Sequence, residues 1–353
     1  MNSLKMAAKN AVYTCMHIEP SERIFIATDK AQSNIAYSIE REAKKAVGTS
    51  GVVEKYIIED YFPKDFLSGQ KKPDNVQLPS TMQKSLKLSN AAFWIDSGTF
   101  PIELNSKVEE IATKDKRRRY AQMSGLNEQA FIEGMSVDYK EVKRFTDRLY
   151  DVVSIAKEIH ISNEQGTSLN VKLNPKYKWV KDSGIADKEA DFFELPDGEL
   201  GTTPEEVNGT VYTNLFGDTF DARYGYLPSP VRFEIEKGRL RKDKIKCCDE
   251  KLRKDLIEYV GRYEDGDRVG EISLPTNLGL MRKEIKSKDK ILLVEKANVH
   301  GAFGAPPDDR IEADWPTIDT LKSHIDWIIL KSNVILDGKE TIMEKGHYIR
   351  QLF

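Results

Sequence analysis

His324 and Asp326 stand two residues apart in LKSHIDWIILKSNVILDG, the stretch Leu321–Gly338. The apolar run Trp327–Leu330 follows them, and Asp337-Gly338 is a turn signal, so the pair reads as part of a β-strand. In a strand, side chains at i and i+2 leave by the same face. One imidazole and one carboxylate then point the same way, which suits Zn, Mn, Fe or Co. An H-x-D alone is a weak signal, since a polar pair at a strand end is common. Its meaning depends on whether other ligands converge on it.

The chain has only five histidines, which limits the possible ligand sets. His17 lies at an early helix end, His160 begins a strand, and His347 lies in the C-terminal tail. His300 is better placed. It follows the apolar run Ile291–Glu295, read as a buried strand, and opens the glycine-rich stretch His300–Gly304, read as a turn. Functional side chains concentrate on loops held by a rigid sheet, so His300 and His324 are the two imidazoles to bring together. Among the acids, Glu199 leaves the turn LPDGE, Glu271 sits inside the apolar strand GEISLPTN, and Glu295 ends the run ILLVE. An acid in a buried strand must be paired, hydrogen-bonded or metal-bound.

The elements that would position these groups follow from periodicity. Residues 4–18 read as a helix and Arg23–Thr28 as a buried strand. Next come a helix with apolar positions Ile35, Ile39, Ala43 and Val47, then the strands Val52–Ile58 and Ala91–Ile95. This alternation predicts a parallel α/β sheet. Residues 61–83 read as a loop with at most a short helix, and the basic run Lys114–Arg119 as a solvated face. Asp138–Ile159 reads as the strongest amphipathic helix. Past it the texture turns to short strands, including Thr167–Leu173, Thr210–Leu215, Val231–Glu236 and a hairpin about Asp337-Gly338, with a helix over Leu252–Val260. The expectation is an N-terminal α/β sheet domain over 1–160 and a C-terminal, mostly antiparallel, β-rich α+β domain over 161–353.

Composition bounds the function. The 54 basic and 57 acidic residues are well mixed and leave a net charge of −3, so there is no footprint for nucleic acid or an anionic membrane. No apolar run is long enough to span a bilayer, and the first twenty residues lack a secretory apolar core. Cys15, Cys247 and Cys248 make no disulfide framework, which points to a reducing, cytoplasmic setting.

Five pieces in order give the second half a family resemblance: ELPDGELGTTP with NGTVYT, PVRFEIEKGRL, VGEISLPTN, EKANVHGAFG and HIDWIILKSNVILDG. Together they resemble the metallo-aminopeptidases of the aminopeptidase T and aminopeptidase S family. The resemblance implies two divalent ions (Zn, Co or Mn) held by Glu199, Glu271, His300, His324 and Asp326. It also implies a homodimer acting on peptides. Ions about 3.5–4 Å apart share and acidify a water, and Glu199 or Glu271 would take its proton. The implied activity is removal of N-terminal residues from peptides. The tyrosine that family carries past the first histidine has no counterpart between His300 and His347. The fold also resembles the 2,5-dihydroxypyridine ring-opening dioxygenases, which hold one Fe(II) with the H-x-D and a histidine where this chain has Glu271. That dioxygenase chemistry, or a non-catalytic relative, is the alternative.

Overall fold

The strand–helix–strand alternation of the first hundred residues builds a parallel sheet in the computed structural model. The model describes residues 3–68, 76–115, 117–186, 192–217, 219–283, 291–314 and 323–349. Residues 69–75 of the expected loop, Lys116, Leu321 and Lys322, which figure in the sequence reading, lie outside them. By its contacts the chain forms two units, Met1–Lys140 with Gly184–Asp197, and Glu141–Ser183 with Gly198–Phe353. The boundary expected at residue 160 thus falls within the second unit, and a short later segment returns to the first.

In the first unit, β1 (Arg23–Thr28), β2 (Val52–Ile57), β3 (Ala91–Asp96) and β4 (Arg119–Ser124) run parallel. Their order is β2-β1-β3-β4. The helix Ser33–Val47 buries Ile35, Ile39, Ala43 and Val47, the apolar stripe seen in the sequence. Residues 3–15 are helical as expected, in α form to Lys9 and in π form from Asn10 to Cys15. Among the described residues, two α-helices lie between β2 and β3, Lys64–Leu67 and Ser80–Leu88, one more than the loop reading allowed.

The basic run Lys114–Arg119 is not simply a solvated face. Arg117 is exposed and pairs with Asp115, but Arg118 is only 3% exposed. Its guanidinium donates to the carbonyls of Lys87 (2.7 Å), Ser89 (3.1 Å), Ile111 (3.1 Å) and Ala112 (2.7 Å). These are carbonyls at and beyond the C-terminal ends of the helices Ser80–Leu88 and Ile102–Thr113, where no intrahelical donor remains.

The expected helix Asp138–Ile159 ends earlier, at Val153. From Glu158 the chain is a strand whose residues alternate exposed and buried. Ile159 is opposite Val171 and Leu336 there, so sheet pairing overrides the helical period.

The remaining strands are β5 (Glu158–Ser162), β6 (Ser168–Leu173), β7 (Val180–Asp182) and β8 (Phe192–Glu194). They continue as β9 (Glu199–Thr202), β10 (Pro204–Thr213), β11 (Val231–Glu236) and β12 (Arg239–Leu240). The last are β13 (Val269–Pro275), β14 (Val299–Gly304), β15 (His324–Ile329), β16 (Asn333–Leu336), β17 (Glu340–Glu344) and β18 (His347–Tyr348). β8 adds to the parallel sheet beside β4. The others form two antiparallel sheets in the second unit, ordered β12-β11-β10-β6-β5-β16-β17-β18 and β15-β14-β13-β9-β7. The fold is therefore an α/β unit followed by a β-rich α+β unit, as the sequence predicts.

Two local readings change. Ile291–Glu295 is a helical turn rather than a buried strand, because so short an apolar run carries no period of its own. His300 consequently lies within strand β14, not in a turn. The hairpin turn at Asp337-Gly338 is present, with φ of 48° and 67°, the backbone of a tight type I′ connection. No helix among the described residues is long and apolar enough to cross a membrane.

Candidate metal centre

All five candidate ligands come from one face of the sheet β15-β14-β13-β9. Asp326 lies opposite Ala302, and Ala302 lies opposite Glu271, so the three form one row across β15, β14 and β13. His300 lies opposite Ser273 in the next row, and His324 opposite Gly304 in the row before. Glu199 pairs with Pro275, two residues beyond Ser273. Since i and i+2 share a face, Glu199, Glu271, His300, His324 and Asp326 all project together. A register shift between Val269 and Glu271 marks a bulge that re-aims Glu271. Gly270 makes the bulge possible, because a Cβ there would lie 2.3 Å from the carbonyl oxygens of Gly304 and Ala305. The opposite face of β14 and β15 is apolar, where Trp327 packs edge-on to Phe233 (5.8 Å) and tilted to Phe303 (5.8 Å).

The side chains converge closely. His324 Nε2 is 3.1 Å from Glu271 Oε2 and 3.3 Å from Asp326 Oδ1. His300 Nε2 is 3.3 Å from Glu199 Oε2 and 3.6 Å from Glu271 Oε1. Glu271 thus presents one oxygen to each imidazole. Among the described residues, two groups could each hold a metal ion: Glu271, His324 and Asp326, and separately Glu199, Glu295 and His300. Asp326 Oδ1 and Glu199 Oε2 are buried with no hydrogen-bond partner among the described residues. A buried carboxylate oxygen left in that way is costly unless a cation completes it.

Backbone contacts set the imidazole orientation. His324 Nδ1 lies 3.0 Å from the Ala305 carbonyl, and His300 Nδ1 lies 3.2 Å from the Asn298 carbonyl. A carbonyl only accepts, so each Nδ1 donates a proton to it, and each Nε2 faces the carboxylates, protonated until a metal takes that proton's place. This arrangement is typical of metal-binding histidines. The Tyr259 hydroxyl donates to the His324 carbonyl at 2.9 Å and accepts from its backbone N–H at 3.3 Å. Ser273 Oγ donates to Glu271 Oε1. Gly217 closes over Asp326, where a Cβ would stand 2.9 Å from Oδ2 and 3.0 Å from Cβ. On the far side β7 brings Asp182 opposite Glu199. Burial pushes Asp182 up to about 7, despite Arg310 at 3.0 Å, and the charge of Glu199 adds to the rise.

Protons hold this cluster together in the absence of a cation. Burial alone would raise Glu271 and depress the imidazoles. The mutual contacts win, holding Glu271 well below its usual range and both His300 and His324 well above theirs. Burial likewise opposes ionisation of Glu199, but Lys296 and His300 hold its carboxyl low. The depressed carboxylates contribute stability above their ordinary range that is lost as pH falls through their folded values. The raised imidazoles contribute stability below their ordinary range that is lost as pH rises through theirs. The proton-filled cluster is therefore strongest from about pH 4.5 to 6.5. A metal must displace the Nε2 protons, so chelator-treated protein is expected to bind divalent ions more tightly as pH rises from about 5.5 to 7.5. Calorimetry in buffers of different ionisation enthalpy measures the released protons. A pH-independent affinity with no proton release would contradict this arrangement.

The structure brings together all five residues singled out in the sequence, and it places the additional acid Glu295 beside Glu199 and His300. His17, His160 and His347 lie elsewhere: His17 beyond the first helix, His160 on β5 bonded to Asn170, and His347 on β18. Tyr224 is bonded to Asp255, and Phe220 packs edge-on to Tyr259 at 5.5 Å. Sequence reasoning missed Lys296, Tyr259 and Asp182. Lys296 was detectable only as a charge directly following an apolar run.

A family model described as NicX, 2,5-dihydroxypyridine 5,6-dioxygenase, matches residues 6–265. The chain belongs to this family. The match ends before Glu271, so it does not itself assign the ligands. No curated protein matches the sequence. Solved structures that share the fold include two that cover 98% of this chain. A 2,5-dihydroxypyridine dioxygenase from Pseudomonas putida KT2440 is 13% identical, with a TM-score of 0.68 over 98% of this chain and 97% of that one. Wild-type AmpT from Thermus thermophilus is 16% identical, with a TM-score of 0.68 over 98% and 99%. The aminopeptidase likeness therefore extends to the fold alone. Family membership overturns the expectation of a peptidase or other hydrolase removing N-terminal residues from peptides, and it favours the ring-opening alternative.

Proposed function

We propose that this chain is a mononuclear, iron(II)-dependent ring-opening dioxygenase acting on a small hydroxylated nitrogen heteroaromatic of the 2,5-dihydroxypyridine type. Family membership supports the reaction class. The observation that carries the metal reading is the convergence of buried donor atoms: Asp326 Oδ1, which makes no hydrogen bond, lies 3.3 Å from His324 Nε2, on the same face as Glu271. One imidazole and two carboxylates form a mixed N/O donor set that suits iron(II), with one imidazole fewer than the two-histidine, one-carboxylate triad. His300 stands across Glu271 from that group, 3.6 Å from its Oε1.

Bound there, iron(II) would supply the one-electron chemistry that lets dioxygen react with an electron-rich ring. The chain's own residues do the rest. Ala305 and Tyr259 fix His324, and Ser273 orients Glu271. Glu199 Oε2, buried and 3.3 Å from His300 Nε2, is the acceptor for a ring-hydroxyl proton. Lys296, 2.8 Å from Glu199 Oε1, keeps that carboxylate ionised and ready.

The test is oxygen consumption by anaerobically iron-loaded protein given 2,5-dihydroxypyridine. One dioxygen taken up per ring, with loss of the ring's ultraviolet band, is expected. Iron-loaded protein that consumes no oxygen with any of a panel of dihydroxypyridines and catechols would overturn the proposal.

A further inference from the structure

Lys296 is 3% exposed. It follows the helical turn Ile291–Glu295, and its backbone N–H bonds to the Leu292 carbonyl at 3.0 Å. Its ammonium lies 2.8 Å from Glu199 Oε1 and 3.1 Å from Glu295 Oε1. These are two of the three members of the second ligand group, Glu199–Glu295–His300. Apart from the imidazoles, the first group, Glu271–His324–Asp326, has no comparable side-chain cation against it among the described residues.

We propose that Lys296 is a built-in cation standing where a second divalent ion would otherwise bind, so that the centre takes one metal, at Glu271–His324–Asp326. The proposal rests on the reading that this triad holds the iron. The physical case is steric and electrostatic. An ion bound to Glu199, Glu295 and His300 needs the space between those oxygens that the ammonium fills. Two cations confined there, among residues 1–9% exposed, repel strongly. Lys296 cannot leave cheaply, because withdrawing it takes a close counter-charge from two buried carboxylates at once. The two groups also touch through His300 and Glu271, so an ion in the second would face both the ammonium and the first ion. A lysine thus gives the second group its positive charge and leaves the redox-active position single.

The experiment reads metal stoichiometry without substrate, so it stands or falls separately from ring cleavage. Chelated protein is reloaded with manganese, freed of excess ion, and analysed for metal per chain. Wild type is expected to hold one equivalent, Lys296→Arg one, and Lys296→Met two. Wild type holding two equivalents overturns the proposal, as does folded Lys296→Met holding only one. If Lys296→Met does not fold, the electron paramagnetic resonance spectrum of saturated wild type decides. An isolated six-line manganese signal supports a single ion, and an exchange-coupled pair overturns it. Wild type that takes up no metal at all overturns both this proposal and the metal reading beneath it.

Discussion

Replacing His324 by alanine is expected to remove bound iron and to abolish oxygen uptake, with metal affinity falling by more than about 100-fold. That bound comes from groups one contact removed from a metal, whose loss typically costs 10- to 100-fold. His324 is the only imidazole of its group, 3.1 Å from Glu271 and 3.3 Å from Asp326. Alanine would leave those two carboxylates facing each other in a buried place. Breaking a buried charge pair from one side costs about 3–5 kcal/mol, so chelated His324→Ala should also melt earlier than chelated wild type. Elemental analysis, oxygen uptake and thermal melting of the same preparation check the expectation. Unchanged iron content in the variant would remove the triad from consideration.

Replacing Arg118 by methionine is expected to destabilise the first unit by about 3 kcal/mol while leaving metal content intact. Its guanidinium serves four carbonyls from a side chain 3% exposed to solvent. Methionine keeps much of the volume but donates nothing, and each buried acceptor left unmade costs about 1–3 kcal/mol before water relieves part of it. Urea unfolding followed by the fluorescence of Trp94, buried in that unit's core, should shift to lower denaturant. An unshifted midpoint would show that solvent replaces the guanidinium without cost.

These two residues mark what was legible in the sequence. His324 and Asp326 were visible because a period of two in an apolar strand puts both on one face, and Glu271 because an acid inside such a strand needs a partner. Their convergence on His300 and Glu199 also survived a wrong local assignment. Ile291–Glu295 reads equally well as strand or helix, and only its surroundings decide. Arg118 and Lys296 were not legible. A buried cation and a solvated one look alike in a string of letters, and what distinguishes them is a set of carbonyls or carboxylates far away in sequence. Nor could the resemblance decide the reaction. AmpT and the dihydroxypyridine dioxygenase match this fold with the same TM-score of 0.68.

The ligand-bearing face joins β9 to β15, and between them the chain leaves to build β10, β11 and β12 in the other sheet before returning. Glu199 and Asp326 are therefore brought onto one face only by pairing between strands far apart in the chain, and no short peptide from this chain reproduces the donor set. An ion that binds such a site binds the folded chain and not the unfolded one. At a free concentration a hundred times its dissociation constant it adds about 2.7 kcal/mol to the folded state. Depletion of iron would then do more than silence turnover. It would shorten the life of the chain itself, since proteases act on what unfolds, and the cell's stock of this protein would track its supply of metal.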